Sequence, residues 1–312
     1  MLFRLILFAL MGFCAAYCAF PQNSGDGSLE IYTGMSPYFG QELPGPKPEL
    51  FAPEIFNHTE GYHSPVVFSN DLTEAFWSPM DRDHSLLYSE LSDGVWSKPV
   101  ALSFGLSRGI GDPFFWRDGT RLYFLSYEPP HGSSGPERER LWYTQQVNGE
   151  WEKPVCLDPL LARHPTHWKG SASDQGTLFF TSEINVDVSG QDIYYALFRD
   201  GHLTSPQAIG NSVNTNGWEF GPCIAPDESF LIFTRRDNIT RKTDLYISFK
   251  SGEGGWSTAV ELSPGINSDE NDLCPSLSPD GKYMFFLSTR EGNSRIYWVE
   301  IAGIIESLMN EN

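Results

Sequence analysis

The sequence is short of basic residues. It contains 21 Lys and Arg against 40 Asp and Glu, which gives a net charge of −19 at neutral pH. Nucleic-acid binding depends on Lys and Arg side chains that displace counterions from phosphates, so this balance argues against a nucleic-acid partner. It argues equally against binding to a surface of anionic lipid. Because 14% of the residues are aromatic and 40% hydrophobic, the acidity does not indicate a disordered chain.

Long apolar runs are also absent, apart from one at the N-terminus. There Arg4 precedes an apolar stretch at residues 5–13, and mostly small residues follow as far as Ala19. This is the pattern of a secretory signal peptide, and the run is too short for a bilayer, which needs about 20 apolar residues. We predict a signal peptide at residues 1–19, export to the periplasm or the extracellular space, and no membrane insertion. Lipid anchoring at Cys18 is disfavoured, because the bulky Tyr17 precedes it.

Cysteine is scarce, and the motifs of several enzyme classes are missing. Only Cys156, Cys223 and Cys274 follow the predicted signal peptide, and this odd number leaves at least one thiol unpaired. Cys223 and Cys274 flank equivalent prolines in neighbouring repeats, so a disulfide between them is one alternative. The favoured interpretation is that both are small buried side chains. No nucleophile elbow, phosphate loop, dinucleotide fingerprint or Cys-x-x-Cys pair is present. We predict no cofactor, with a divalent metal ion left open.

What the sequence does contain is a motif repeated five times. A bulky apolar residue is followed three positions later by Pro, in four of the copies, and six positions later by another apolar residue. The copies begin at Leu50, Trp96, Trp151, Leu203 and Trp256. Repeats spaced by roughly 45–55 residues are typical of propellers and solenoids.

Each repeat predicts three further short strands. The fifth illustrates them: residues 275–281 end in a Pro-Asp-Gly turn, residues 284–288 are an aromatic run, and Ile296-Tyr297 is an apolar-Tyr pair. Asp and Gly tolerate the positive φ of tight hairpin turns. Along the chain, the first strand of the series is the fourth strand of a repeat, and the last is the third strand of a repeat. The last sheet therefore lacks a fourth strand, which the segment from Leu50 should supply. We predict an all-β fold, a five-bladed β-propeller closed by an N-terminal strand joining the C-terminal blade, with six blades as the alternative.

These patterns divide the chain into four parts. Residues 1–19 are the signal peptide, residues 20–47 an extended N-terminal arm, residues 48–303 the β-propeller and residues 304–312 a C-terminal tail. The tail is predicted to form a short helical turn at most. The third repeat departs from the others, because Gly170 stands where the other repeats have Pro, so its loop is expected to be specialised.

Residues 279–290, Pro-Asp-Gly-Lys-Tyr-Met-Phe-Phe-Leu-Ser-Thr-Arg, resemble the WD-like propeller repeats of the TolB type. The third-strand segments 191–194 and 243–246 are similar to that repeat, as are Asn214 and Asn267 before acidic clusters. The resemblance implies an exported bacterial propeller. Such proteins include periplasmic scaffolds, propeller caps of peptidases and modules attached to polysaccharide-degrading systems, so the resemblance is specific for the fold and not for the function.

The residues that precede the first strand of each blade should meet at one mouth of the central channel. Among them, Tyr62, Trp168 and Trp218 are candidates for substrate binding, since aromatic rings cover the apolar faces of sugars. We expect a glycan or a protein as the partner at this funnel. The favoured prediction is a binding module, and the oligomeric state stays open.

An enzyme acting on acidic oligosaccharides is the alternative. Glycoside hydrolysis would use paired carboxylates about 5–9 Å apart, and Asp112, Glu219 and Asp272 are the candidates. Elimination on a uronic-acid sugar would need a base and a cation that neutralises the carboxylate. The candidates for that chemistry are His63, His167, Lys169 and Arg108.

A metal site is the weakest of these hypotheses. His164 and His167 lie three residues apart and could bind a divalent ion together with Glu219 or Asp272. Pro165 between the two histidines indicates a loop, where such residues are usually plain polar surface.

Overall fold

The computed structural model describes residues 32–33, 36–81, 85–116, 119–130, 138–157, 161, 164–183, 190–199, 202–252, 254–262 and 265–311. The predicted signal peptide lies outside these ranges. Within them, five antiparallel sheets of closely similar plan are arranged around a channel. The predicted five-bladed β-propeller is confirmed.

Each blade contains three long strands and one or two short outer ones. The first blade holds β3 (Tyr62–Phe68), β4 (Glu74–Pro79), β5 (Leu86–Ser92), β6 (Val95–Trp96) and β7 (Val100–Leu102), and β1 (Tyr32–Thr33) pairs with β6. The second holds β8 (Ile110–Phe115), β9 (Arg121–Ser126), β10 (Arg140–Val147), β11 (Glu150–Trp151) and β12 (Val155–Cys156). The third holds β13 (Thr166–Ala172), β14 (Thr177–Ser182), β15 (Asp192–Arg199), β16 (His202–Leu203) and β17 (Gln207–Ala208).

The fourth blade holds β18 (Trp218–Ile224), β19 (Phe230–Arg236), β20 (Thr243–Phe249) and β21 (Val260–Glu261). The fifth holds β22 (Asp272–Leu277), β23 (Tyr283–Ser288), β24 (Arg295–Glu300) and β2 (Glu49–Leu50). The first strands β3, β8, β13, β18 and β22 contact one another in order, and β22 contacts β3. The ring is therefore closed. The six-bladed alternative is wrong, because β1 extends the first blade.

Closure depends on a strand from the N-terminal side of the ring. Glu49 pairs with Trp298 and Leu50 with Tyr297, and the Phe51 N–H donates to the Ile296 carbonyl over 2.9 Å. The backbone hydrogen bonds of β2 cover the outer edge of the last blade, which would otherwise stay unpaired. The predicted strand exchange is confirmed.

The repeated motif forms two short pairings with the same third strand. In the first blade Trp96 pairs with Leu91 near the end of β5, and Val100 pairs with Tyr88 farther back. Pro99 stands between the two pairings, where its missing N–H interrupts the ladder. The apolar-x-x-Pro pattern therefore marks a turn followed by an outer strand.

The N-terminal arm packs tightly against the ring and is not simply extended. The Gly40 N–H donates to the Ser36 carbonyl over 3.0 Å, and this turn inserts Tyr38 and Phe39 into the core between the fifth and first blades. The Phe39 ring stacks on Trp96 with centroids 4.3 Å apart. The arm thus adds aromatic packing to the closure made by β2.

The C-terminal tail forms helix α1 (Ala302–Glu311), which is longer than the short turn predicted. Ile305 is buried against Ile301 and Met284, while Ile304 and Leu308 are partly buried on the same cluster. This apolar stripe secures the helix against the fifth blade. No helix in the described part of the chain has the length and apolar content needed to cross a bilayer.

A bulge in the first strand turns side chains into the channel. Asp112, Trp168, Gly221 and Cys274 stand at this bulge with φ of 51°, 56°, 58° and 54°. In the second blade the four residues 111–114 lie opposite the three residues 123–125. In the third blade the five residues 167–171 lie opposite the three residues 179–181. The third blade therefore has one extra residue in the bulge, which is the physical outcome of its departure from the Pro pattern.

Candidate functional site

A cavity of about 340 Å³ opens at the mouth of the channel where the first strands begin. We call it the funnel cavity. It is lined by the aromatic side chains of Tyr62, Trp168, Trp218 and Phe220. The structure therefore brings together the three aromatic residues predicted from the sequence to bind substrate.

His63 and Asp112 form a charged pair between the first two blades. The His63 Nδ1 lies 3.5 Å from Asp112 Oδ1, and Asp112 is 1% exposed while His63 is 27% exposed. The His63 ring stacks on Trp168 with centroids 5.7 Å apart. The Asp112 carboxylate raises the pKa of His63 to about 9, although burial opposes the shift. His63 therefore lines the funnel cavity as a cation at neutral pH and has no free pair of electrons to accept a proton.

Two arginines converge on the other side of the funnel cavity. The guanidinium carbons of Arg236 and Arg241 lie 5.0 and 5.9 Å from the centroid of the Trp218 ring. The Arg236 Nε donates to the Arg241 carbonyl over 3.4 Å. Within the described residues, neither guanidinium forms a salt bridge with a carboxylate. Unpaired cations of this kind make a site for an anion.

Trp218 is held in place by a glycine. Gly190 has a φ of 88°, and a Cβ at this position would collide with the Trp218 indole nitrogen. The close approach fixes the plane of the indole, and the indole in turn supports both guanidinium groups by cation–π contact.

Buried polar atoms without partners also face the funnel cavity. Gln191 is 8% exposed, and its Oε1 accepts no hydrogen bond within the described residues. The Ser294 hydroxyl in the same lining is likewise buried without a partner in this part of the chain. Because buried polar groups are nearly always hydrogen-bonded, these atoms are positioned for the hydroxyl groups of a ligand.

Glu219, a predicted catalytic carboxylate, is fully buried in a network of its own. It accepts hydrogen bonds from Arg235 Nε over 2.8 Å and from the Thr215 hydroxyl over 2.6 Å. The Arg235 guanidinium carbon in turn lies 4.3 Å from the centroid of the Tyr246 ring. Glu219 is absent from the lining of the funnel cavity. In this geometry it joins the loop before β18 to the end of β19.

Asp272 repeats that arrangement one blade later. It accepts from Arg290 over 2.8 Å and from the Ser268 hydroxyl over 2.7 Å, and Arg290 lies over the Tyr297 ring. Asp112 pairs with His63 instead. Each of the three predicted acids therefore has its own cationic partner, and none lines the funnel cavity in the described part of the chain.

The other predicted catalytic and metal-binding residues are scattered. Lys169 points away from the funnel, and its Nζ donates to the Pro275 carbonyl over 3.2 Å. Arg108 is exposed, and its backbone N–H donates to the Glu128 carboxylate over 3.1 Å. His164 packs edge-on against Tyr194, and burial lowers the pKa of its imidazole.

The metal hypothesis gains no support from the described side chains. The backbone of His167 pairs with Thr181, but its side chain lies outside the described part of the structure. Among the side chains that are described, no cluster of three His, Cys, Asp or Glu could hold a metal ion. Cys223 and Cys274 are buried thiols that do not pair with each other.

Arg236, Arg241 and Gln191 are not among the residues predicted from the sequence. The predicted residues all precede the predicted first strand of a blade, whereas Arg236 ends a second strand and Gln191 precedes a third. Neighbouring strands in a blade are antiparallel, so the end of a second strand reaches the same mouth as the start of a first. The Arg235-Arg236 pair in this acidic chain was the signal that could have revealed the arginines.

No protein-family model matches the sequence, and the curated proteins contain no significant match. Similar solved structures exist, with low sequence identity. A protein assigned as TolB from Agrobacterium tumefaciens is 16% identical, with 78% of each chain covered and a TM-score of 0.53. An endo-arabinase from Bacteroides thetaiotaomicron is 11% identical, with 84% of this chain and 98% of that chain covered and a TM-score of 0.54.

These similarities support a TolB-like β-propeller fold, as the repeats indicated. At 11–16% identity they establish the fold alone. The function has to be argued from the site.

Proposed function

We propose that the protein is an exported β-propeller module that binds an acidic glycan in the funnel cavity. The observation that carries this proposal is the pair of guanidinium groups, Arg236 and Arg241, which meet over Trp218 without a carboxylate partner among the described residues. In a chain of net charge −19, two arginines at one cavity with no carboxylate partner in the described ranges favour a ligand that supplies the negative charge. A planar guanidinium matches a carboxylate with two parallel hydrogen bonds.

The rest of the lining favours a sugar as the carrier of that charge. Gln191 Oε1 and the Ser294 hydroxyl supply buried hydrogen-bonding atoms for sugar hydroxyls. The half-buried Trp168 presents a partly apolar surface of the kind that packs on pyranose rings, whereas Tyr62 is buried beside it in the lining. The His63 imidazolium adds a third positive charge. A uronic-acid oligosaccharide combines all the groups that this lining complements.

Binding accounts for the site better than catalysis does. A general base must have an available lone pair at the working pH, and His63 is protonated at neutral pH. Lys169 lies outside the funnel cavity, and Glu219 and Asp272 are bound to arginines. The export part of the proposal rests on the signal-peptide pattern at residues 1–19, which indicates the periplasm or the extracellular space.

Calorimetric titration with oligogalacturonides tests the proposal, with neutral arabino-oligosaccharides as the comparison ligand. We expect the acidic ligand to bind and Arg236→Ala or Arg241→Ala to weaken it by about 10- to 100-fold. Lys98→Ala, which removes an exposed cation outside the funnel, is the matched control and should leave the affinity unchanged. Equal affinity for neutral and acidic ligands, or no effect of the arginine changes, would refute the proposal.

The same mixtures distinguish binding from elimination. A lyase would generate an unsaturated uronate with new ultraviolet absorbance, and this signal would disappear in His63→Gln. We expect saturable binding with no such product. Turnover by the wild-type protein would replace the binding proposal with the enzymatic alternative.

A further inference from the structure

The channel contains a second cavity, and the lining of this cavity has no residue in common with the lining of the funnel cavity. It has a volume of about 480 Å³ and opens at the opposite mouth, where the first strands end. We call it the lower channel. All five blades contribute to its wall, including Phe68, Phe114, Ser171, Cys223 and Ser276. A volume of this size is in the range of small-molecule sites, about 300–1,000 Å³.

The bulge of the third blade places two neighbouring side chains in different cavities. Trp168 lines the funnel cavity, whereas its neighbour Lys169 lines the lower channel. Lys169 therefore belongs to the end of the lower channel that is nearer to the funnel cavity. Sequence reasoning placed it in the funnel because it precedes the first-strand position that is normally Pro.

Lys169 is a buried amino group with unused hydrogen-bonding capacity. Its side chain is 2% exposed, and its only hydrogen bond within the described residues goes to the Pro275 carbonyl. In the charged form the group has three N–H donors, so two lack an acceptor in this part of the chain. The Asp112 carboxylate favours the charged form of Lys169, but it is already paired with His63. An anion that enters the cavity would supply the missing acceptors and favour the charged form of Lys169.

The wall and the mouth restrict which anion fits. The side chains of Phe68, Phe114 and Leu277 form an apolar surface along the lower channel. At the mouth, the exposed carboxylates of Asp174 and Asp280 face the ligand's path, and Asp280 is paired with Lys282 over 3.2 Å. The negative charge of Asp174 and the apolar wall together disfavour ligands with a second negative charge, such as dicarboxylates and phosphates.

We propose that the lower channel binds a small organic monocarboxylate, with its carboxylate on the Lys169 ammonium and its alkyl tail along Phe68, Phe114 and Leu277. The Ser276 hydroxyl, buried in the same wall, is available for the second carboxylate oxygen. Burial lowers the pKa of Lys169, and a bound carboxylate would favour its charged form again. This site is separate from the funnel cavity and stands whether or not a glycan binds there.

Calorimetric titration of the full chain with sodium hexanoate tests the proposal. We expect one hexanoate per chain, with an affinity that rises from acetate through butyrate to hexanoate as more methylene groups are buried. Hexanedioate should bind at least about tenfold more weakly than hexanoate, because its second carboxylate would meet the apolar wall and the Asp174 carboxylate. Hexanedioate binding as tightly as hexanoate, or an affinity independent of chain length, would overturn the proposal.

Two variants locate the site. Lys169→Met keeps the length of the side chain without its charge and should weaken hexanoate at least about tenfold. Arg241→Ala, in the funnel, should leave hexanoate binding within about twofold of wild type. Undiminished binding in Lys169→Met, or loss of binding in Arg241→Ala, would overturn the proposal.

A second variant, Ser276→Leu, tests the same site in case the Lys169→Met protein does not fold. Ser276→Leu leaves Lys169 in place and fills the lower channel with an apolar side chain, so it should abolish hexanoate binding. The fold of each variant is checked by circular dichroism. Folded Ser276→Leu protein that binds hexanoate as wild type does would also refute the lower-channel site.

Discussion

The imidazole of His63 and the carboxylate of Asp112 belong to neighbouring blades and meet 3.5 Å apart beside the Trp168 ring. The pair joins two first strands at the floor of the funnel cavity. It fixes the charge of His63 and thereby the chemistry that the cavity can perform.

Replacing Asp112 should change the titration of His63. The pKa of His63 is about 9 in the folded protein against an ordinary 6.5, so the pair stabilises the fold fully below pH 6.5 and loses this contribution as the pH rises through 9. Asp112→Asn should return the pKa of His63 to 6.5 or below and cost roughly 2–3 kcal/mol near pH 6. Nuclear magnetic resonance of the imidazole protons measures the pKa, with His164 as the internal reference. A His63 that already titrates near 6.5 in the wild type would contradict the pairing.

Glu219 should prove to be a structural residue. Glu219→Gln leaves the partly buried Arg235 guanidinium without its anion, and breaking a buried pair typically costs about 3–5 kcal/mol. The affinity for oligogalacturonide should change less than threefold or so, since Glu219 does not line the funnel cavity. Lys282→Ala breaks the exposed pair with Asp280 and should cost under about 0.5 kcal/mol. Lost binding with unchanged stability would instead assign Glu219 to the ligand.

Ring closure should depend on Phe51. Its side chain is fully buried, with ring centroids 4.9 Å from Phe285 and 5.1 Å from Trp298. Phe51→Ala should lower the free energy of unfolding by about 3–5 kcal/mol and the Tm by roughly 10 °C. Ile239→Ala, at a side chain that is 91% exposed, should change stability by less than about 0.5 kcal/mol. Similar Tm values for the two variants would show that β2 contributes little.

Alanine variants of two glycines distinguish the effect of backbone strain from the effect of moving Trp218. Gly190 and Gly292 both have positive φ, but only a Cβ at Gly190 meets the Trp218 indole, while a Cβ at Gly292 has no atom within 4 Å. Each change to Ala should cost about 1–3 kcal/mol through strain. Only Gly190→Ala should also weaken oligogalacturonide, by about tenfold, because the arginines lose their support. Equal affinities in the two variants would remove Trp218 from the binding site.

The blades could be predicted because local sequence patterns specify the turns and strands of each one. Turns such as Pro279-Asp280-Gly281 fix a hairpin, and the surplus fourth strand at Leu50 requires a partner at the other end of the ring. The insertion of Tyr38 and Phe39 could not be predicted, because it depends on a gap between two blades that exists only in the closed ring.

The candidate site was less accessible to sequence reasoning. Tyr62, His63, Trp168 and Trp218 were found because the rule for first strands is simple. Lys169 was misplaced because one additional residue in a bulge reverses the direction of a side chain. Glu219 and Asp272 were attractive as acids only while Arg235 and Arg290, 16 and 18 residues farther along the chain, were not recognised as their partners.

The strand exchange at Glu49–Leu50 also sets the order of events during biosynthesis. This segment leaves the ribosome before any strand of the blade that it completes, so its hydrogen-bonding groups must wait until the segment at Arg295–Glu300 has emerged. The four preceding blades can be formed by then, yet none of them provides its partner. Until that segment is available the edge has no partner within the chain, and an uncovered edge of this kind can pair with other chains.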